Sequence, residues 1–214
     1  MRTSESIAGL LRAHGRTYAE EAGISLRDKP APLYQLLVLT VLSSVRISAG
    51  TATAAARELF SDGLRTPRAM ADSAWQRRVD ALGRARYVRY DESTATALGE
   101  GAELVLDRFG GDLRKLREEA GGDRDALRSL LREVPRIGPV GAGIFCREAQ
   151  AVWPELRPFF DERSLATAGA LGLPHTAAGL ARHVPPDDVA RLAAALVRTR
   201  LSGGIREEGS RPGA

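Results

Sequence analysis

The stretch Val134–Phe145 reads VPRIGPVGAGIF and places three glycines and two prolines between two apolar segments. Glycines at the entry to a helix leave backbone N–H groups uncovered, and the helix N-terminus adds a partial positive charge. The stretch therefore predicts a tight hairpin around Pro135–Gly138 and a helix starting near Pro139, whose first amides would cradle a phosphate. An ordinary corner between two closely packed helices would give the same pattern.

The rest of the chain also predicts helices, because apolar residues recur three or four apart and no sustained alternation appears. The segment LYQLLVLTVLSS, residues 33–44, is apolar all the way round and predicts a central buried helix. Residues that favour the start of a helix, such as Ser48 and Ser73, and residues that favour its end, such as Gly63, divide the chain into about ten short predicted helices. The composition of the tail, residues 203–214, predicts disorder. The predicted fold class is all-α.

The amino-acid composition restricts the partners, metal sites and cofactors that the chain can have. The chain has 214 residues and a formal net charge of +4, which favours an anionic partner. Only Lys29 and Lys115 are lysines, and the excess of arginine fits coding bias and phosphate binding equally well. Because Cys146 is the only cysteine and the three histidines are scattered, we expect no metal site, no iron–sulfur cluster and no cofactor. The apolar run Leu36–Leu42 is far shorter than the ~20 residues of a membrane span, and we expect a cytoplasmic monomer.

Asp161 follows the Pro- and aromatic-rich crossing WPELRPFF, residues 153–160, and stands at the head of the next predicted helix. An aspartate at this position is a good helix cap by itself, worth about 1 kcal/mol. The order of hairpin and aspartate resembles the helix-hairpin-helix (HhH-GPD) superfamily of DNA glycosylases, which includes endonuclease III and the alkylated-base glycosylases. Segment 33–44 is similar to that family's early LLxxxLSxQ helix, and the resemblance extends over about residues 30–175.

The resemblance implies a fold of two helical lobes with a DNA-facing cleft between them. One lobe would be residues 31–134, and the other would join residues 1–30 to residues 135–202. The family commonly has glycine where this chain has Arg136, and an arginine there would itself reach a phosphate. The hairpin residues that would hold the DNA backbone without reading bases are Arg136, Ile137, Gly138, Pro139, Val140 and Gly141.

The resemblance also implies a monofunctional DNA glycosylase that acts on a damaged or mismatched base in double-stranded DNA. Bifunctional members carry a lysine that attacks the sugar, and this chain has Val140 at that position. Asp161 would stabilise the oxocarbenium-like transition state and orient the attacking water. Two alternatives remain open: a non-catalytic DNA-binding protein that kept the hairpin, and an abasic-site lyase with an unusual amine.

A glycosylase extrudes its target base and fills the gap that the base leaves. In the family the plug often follows the early buried helix, where this chain has Val45 and Arg46. We favour Arg46, because an arginine stacks and also reaches phosphate. The base pocket would offer aromatic stacking, although aromatic residues at helical spacing are more often part of a core. The candidates for the pocket are Tyr87, Tyr90, Trp153, Phe159 and Phe160.

Overall fold

The computed structural model describes residues 2–201, and all the regular secondary structure in this range is helical, as predicted. Short 3-10 turns at Pro154–Leu156 and Pro186–Asp188 supplement the α-helices. The predicted disordered tail, residues 203–214, lies outside the described residues. The α-helices are α1 (Arg2–His14), α2 (Tyr18–Glu21), α3 (Pro30–Ser43), α4 (Ala49–Ser61), α5 (Pro67–Ala71), α6 (Trp75–Arg84), α7 (Asp91–Phe109), α8 (Leu113–Glu119), α9 (Arg124–Leu131), α10 (Pro139–Ala149), α11 (Glu162–Ala170), α12 (Ala177–Ala181) and α13 (Val189–Leu201).

Polar side chains start many of these helices by accepting a hydrogen bond from a backbone N–H group of the first turn. Ser48 caps α4 in this way, as predicted, and accepts from Thr51 N at 3.1 Å. The prediction that Ser73 caps α6 is wrong, because the N-cap is Ala74. The Ser73 hydroxyl instead donates to Met70 O at 2.7 Å and closes the preceding helix.

None of the described helices has the length and apolar character that a membrane crossing requires.

The chain divides into two compact units, and the larger one is Tyr18–Leu156. Helix α3 forms its centre, with nine buried residues between Leu33 and Leu42 that cover every face of the helix. It packs against α4, α7, α8 and α10. The predicted central buried helix is therefore confirmed.

Polar contacts join the two ends of the larger unit to each other. Glu148 of α10 is 1% exposed and accepts a hydrogen bond from Ala19 N at 2.9 Å. Trp153 is fully buried, and its Nε1 donates to Asp28 Oδ1 at 3.0 Å. Because of these contacts, the boundaries of the unit fall at 17/18 and 156/157, whereas the predicted lobes had theirs at 30/31 and 134/135.

The smaller unit joins Met1–Thr17 to the C-terminal part of the chain from Arg157, described as far as residue 201. Its core packs Ile7 of α1 against Phe160 and against α11 and α13. Arg191 Nε of α13 donates to Gly15 O at 2.9 Å and ties the end of α1 to this core. Asp161 belongs to this unit and begins α11.

Candidate functional site

The predicted hairpin is present between α9 and α10. Ile137 is buried, and its N–H donates to Val134 O at 3.0 Å to close the turn. Arg136 stands inside this turn with φ +68°, in the left-handed region that glycine adopts most readily. A glycine would adopt this conformation freely, whereas arginine there carries a conformational cost of about 1–2 kcal/mol.

The N-terminus of α10 is open. Its N-cap is Gly138, at φ −90° and ψ −170°, a residue that has no side chain to cap the helix. A Cβ atom placed on Gly138 would meet nothing within 4 Å. Pro139 occupies the first turn, and the Val140 side chain that follows is 58% exposed. The start of this 11-residue helix carries a partial positive charge and has room beside Gly138, which suits an anion.

Gly141 has a packing role. A Cβ atom at this position would lie 2.5 Å from Ser44 Oγ and 3.3 Å from Ile137 Cγ2. The Ser44 hydroxyl is itself held by donation to Thr40 O at 2.7 Å, so it would have to break that bond to make room. The missing side chain lets the start of α10 approach the end of α3 closely. Of the six predicted hairpin contacts, Pro139 and Val140 are exposed, Arg136 and Gly138 are half-buried, and Ile137 and Gly141 are buried.

The predicted wedge residues follow directly after this contact. Val45 is half-buried and Arg46 is exposed, in the connection between α3 and α4. Ile47 N donates to Val45 O at 2.8 Å, so the chain turns tightly at Arg46. Because Ser44 lies against Gly141, this turn is a near neighbour of the hairpin within the same unit.

A second loop, residues 85–90 between α6 and α7, is tied to the same place. The fully buried Tyr87 donates its hydroxyl proton to Leu42 O, near the end of α3, at 2.9 Å. Burial raises the pKa of Tyr87 to about 12. On either side of this anchor, Arg86, Val88 and Arg89 are exposed, and Val88 reaches 66% exposure. Sequence reasoning considered only the tyrosines here, although the repeated arginines of RARYVRY were the available signal.

Asp161 caps α11. Its Oδ1 accepts hydrogen bonds from Ser164 N at 2.8 Å and from Ser164 Oγ at 2.7 Å. The carboxyl group is half-buried, whereas Ser164 is fully buried. The capping role is confirmed, and a carboxylate held in this way is compatible with a catalytic role.

No model of a protein family and no curated protein matches this chain. Among solved structures, the chain is similar to a trapped covalent intermediate of endonuclease III with DNA, in an estranged-adenine complex. That match has a TM-score of 0.57 and 14% identity, and it covers 92% of this chain and 83% of that one. A non-covalent complex of endonuclease III with DNA gives a TM-score of 0.58 and 15% identity, with coverage of 92% and 81%. The chain has an endonuclease III-like helical fold.

The structure corrects the prediction of the aromatic pocket. Tyr87 and Trp153 are fully buried, and Trp153 packs on Phe145 with ring centroids 5.7 Å apart. Phe160 is 7% exposed and belongs to the core of the smaller unit. These three side chains fill cores, and their burial leaves no ring face for a stacked base. The sequence pattern did not distinguish an aromatic residue of the core from one that lines a pocket.

Tyr90 differs from those three aromatic residues. Its side chain is half-buried and lines an open groove of about 370 Å³ together with Trp75, which is 40% exposed. The guanidinium of Arg89 lies 5.3 Å from the centroid of the Tyr90 ring. Of the five predicted pocket residues, Tyr90 and Phe159 are half-buried, and the other three are buried.

The described residues contain no group of three His, Cys, Asp or Glu side chains that could hold a metal ion. The single cysteine, Cys146, is buried in α10, and burial raises the pKa of its thiol to about 12. A thiol in this environment stays protonated near neutral pH and is a poor nucleophile. Cys146 therefore has a packing role.

Proposed function

We propose that this chain is a monofunctional DNA glycosylase, which binds duplex DNA through its hairpin and releases a damaged or mismatched base by hydrolysis. One observation carries the proposal. The N-terminus of α10, whose N-cap has no side chain, follows a hairpin in a fold similar to that of two solved complexes of endonuclease III with DNA. A helix N-terminus of this kind suits a phosphate of the DNA backbone.

Cationic side chains near the hairpin support DNA binding. Arg136 lies in the hairpin itself, Arg46 is in the neighbouring turn, and Arg86 and Arg89 flank the anchored Tyr87. All belong to the larger unit. Contacts of this kind neutralise phosphates, so affinity for duplex DNA should fall steeply with salt and depend little on sequence. We propose Arg46 as the wedge, with the exposed Val88 as a second candidate.

The residues of the chain favour hydrolysis over a lyase reaction. A lyase needs an amine that forms a Schiff base with the sugar, and Val140 occupies the position where the bifunctional glycosylases have that lysine. Lys29 directly precedes α3 and Lys115 lies in α8, both away from the hairpin in the chain. In the proposed reaction, water adds to C1′ of the sugar while the C1′–N bond breaks and its electron pair leaves with the base. Asp161 stabilises the sugar cation and accepts a proton from that water.

A panel of labelled duplexes tests the proposal. Each duplex carries one altered base: uracil, an N-alkylated purine, hypoxanthine or an oxidised base. We expect release of at least one of these bases, with strand cleavage only after alkali and with no protein–DNA adduct after borohydride treatment. A trapped adduct would establish the lyase alternative instead.

A non-catalytic DNA-binding protein is the second candidate. It is favoured by the observation that capping of α11 already accounts for the aspartate at position 161. This candidate predicts salt-dependent binding to all duplexes of the panel and release of no base from any of them. The wild-type chain alone distinguishes the two candidates.

The Arg136→Gly variant should change stability and DNA affinity in opposite directions. Glycine removes the cost of the left-handed conformation, so we expect the free energy of unfolding to rise by about 1 kcal/mol. Loss of the guanidinium should weaken DNA binding. The slope of log affinity against log salt concentration should become shallower by about one, the contribution of one phosphate contact. Urea unfolding and fluorescence anisotropy measure the two effects. Arg86→Gly, at φ +58°, is the matched variant for stability, and higher DNA affinity in Arg136→Gly would contradict the proposed contact.

A further inference from the structure

We propose that Ser164 is a positioning residue for Asp161, whose hydroxyl keeps the carboxylate ionised and in one orientation. The inference rests on the proposed function, in which Asp161 acts on the sugar. It assigns a task to a buried polar side chain that helix capping does not require.

The geometry at Asp161 uses two donors on one oxygen. Ser164 N and Ser164 Oγ lie 2.8 Å and 2.7 Å from the same Asp161 Oδ1. Two donors that converge from one residue fix both the position of this oxygen and the rotation of the carboxyl group. The cap by itself needs only the backbone N–H, which almost any residue at position 164 would supply.

The Ser164 hydroxyl has one proton and two acceptors within reach. Asp161 Oδ1 is 2.7 Å away, and Ala193 O of α13 is 3.3 Å away. The shorter contact goes to the acceptor that carries the charge, and bonds to ionised acceptors are the stronger ones. The proton therefore points to Asp161, and Ala193 O, at 3.3 Å, is the weaker of the two competing acceptors.

Burial strengthens this hydrogen bond. Ser164 is 0% exposed and lies on α11, next to the apolar core formed by Ile7, Ala168 and Ala193. A hydrogen bond in such surroundings is electrostatically stronger than one in water, and a donor to the carboxylate favours its ionised form. Removing the hydroxyl should let the carboxyl group rotate and take up a proton more easily.

The test uses Ser164→Ala, Ser164→Thr and the matched control Thr167→Val. Thr167 is buried on the same helix, but its hydroxyl donates to Arg163 O at 2.9 Å. We expect Ser164→Ala to slow base release in single turnover by about tenfold with unchanged DNA affinity, because a hydrogen bond to a charged group is lost. The acid limb of its pH profile should move to higher pH. Ser164→Thr should restore most of the rate, and Thr167→Val should leave it unchanged.

A second measurement does not depend on turnover. The ¹³C signal of the Asp161 carboxyl group, followed by NMR against pH, should have its titration midpoint at higher pH in Ser164→Ala than in wild type or Thr167→Val. An equal midpoint in all three proteins would overturn the inference. If wild type releases no base, the proposed function fails, and the NMR titration still decides whether Ser164 holds the carboxylate. Should Ser164→Ala not fold, Ser164→Cys provides the same test with a weaker donor.

Discussion

Asp161→Asn is expected to slow base release by about 10²–10⁴-fold. Asparagine keeps the side-chain oxygen that accepts from Ser164 N and Ser164 Oγ, and it caps helices nearly as well as aspartate. The fold should therefore persist, and DNA affinity should stay the same or rise slightly because a negative charge is lost. What disappears is the charge that stabilises the sugar cation and the base that accepts a proton from water. Single-turnover release from the best duplex of the panel measures the loss.

Asp123→Asn is the matched control for this loss. Asp123 caps α9, and its Oδ1 accepts from Asp125 N at 2.8 Å and from Ala126 N at 2.9 Å. This variant makes the same chemical change at another helix cap, so its release rate should equal that of wild type. A release rate within threefold of wild type for Asp161→Asn would show that Asp161 acts only as a helix cap.

Glu148→Ala should reduce the free energy of unfolding by about 3–5 kcal/mol, because it breaks a buried ion pair. Glu148 is 1% exposed, Arg147 is 4% exposed, and Arg147 Nε lies 3.5 Å from Glu148 Oε1. The same carboxylate accepts from Ala19 N at 2.9 Å, so its loss also detaches α2 from α10. Urea unfolding followed by circular dichroism measures the change.

Glu58→Ala provides the comparison with an exposed ion pair. Glu58 Oε2 lies 2.8 Å from Arg84 Nε at the surface, and pairs of this kind contribute about 0–1 kcal/mol. Glu148→Gln should fall between the two, since it keeps an acceptor for Ala19 N and loses only the charge. A loss below 1 kcal/mol in Glu148→Ala would show that the buried pair does not hold α2 in place.

The hairpin and the central helix could be predicted because their signals are local. The glycines and prolines of residues 134–145 indicate where the backbone turns, and the predicted helix over residues 33–44 is apolar on every face. The spacing of Asp161 and Ser164 is likewise that of a helix cap and its first turn. Each of these features depends on residues close together in the sequence.

The rest depended on contacts between residues far apart in the sequence. Tyr87 became a core anchor because its hydroxyl reaches Leu42 O, and Trp153 did so because its Nε1 reaches Asp28. Neither partner is visible from the periodicity of the surrounding helix. The boundaries of the larger unit differ from those of the predicted lobes for the same reason, because the contact of Glu148 with Ala19 N spans 129 positions.

The affinity of Gly138→Asp for duplex DNA, set beside that of Ala74→Asp at equal salt, tests the central claim most directly. Both positions are helix N-caps without a side-chain cap, of α10 and α6, so both variants should remain folded and carry the same added charge. The space around Gly138 also accepts a side chain. If the hairpin holds a phosphate, Gly138→Asp should bind about tenfold more weakly, while Ala74→Asp should bind like wild type. Equal affinities in the two variants would contradict the account.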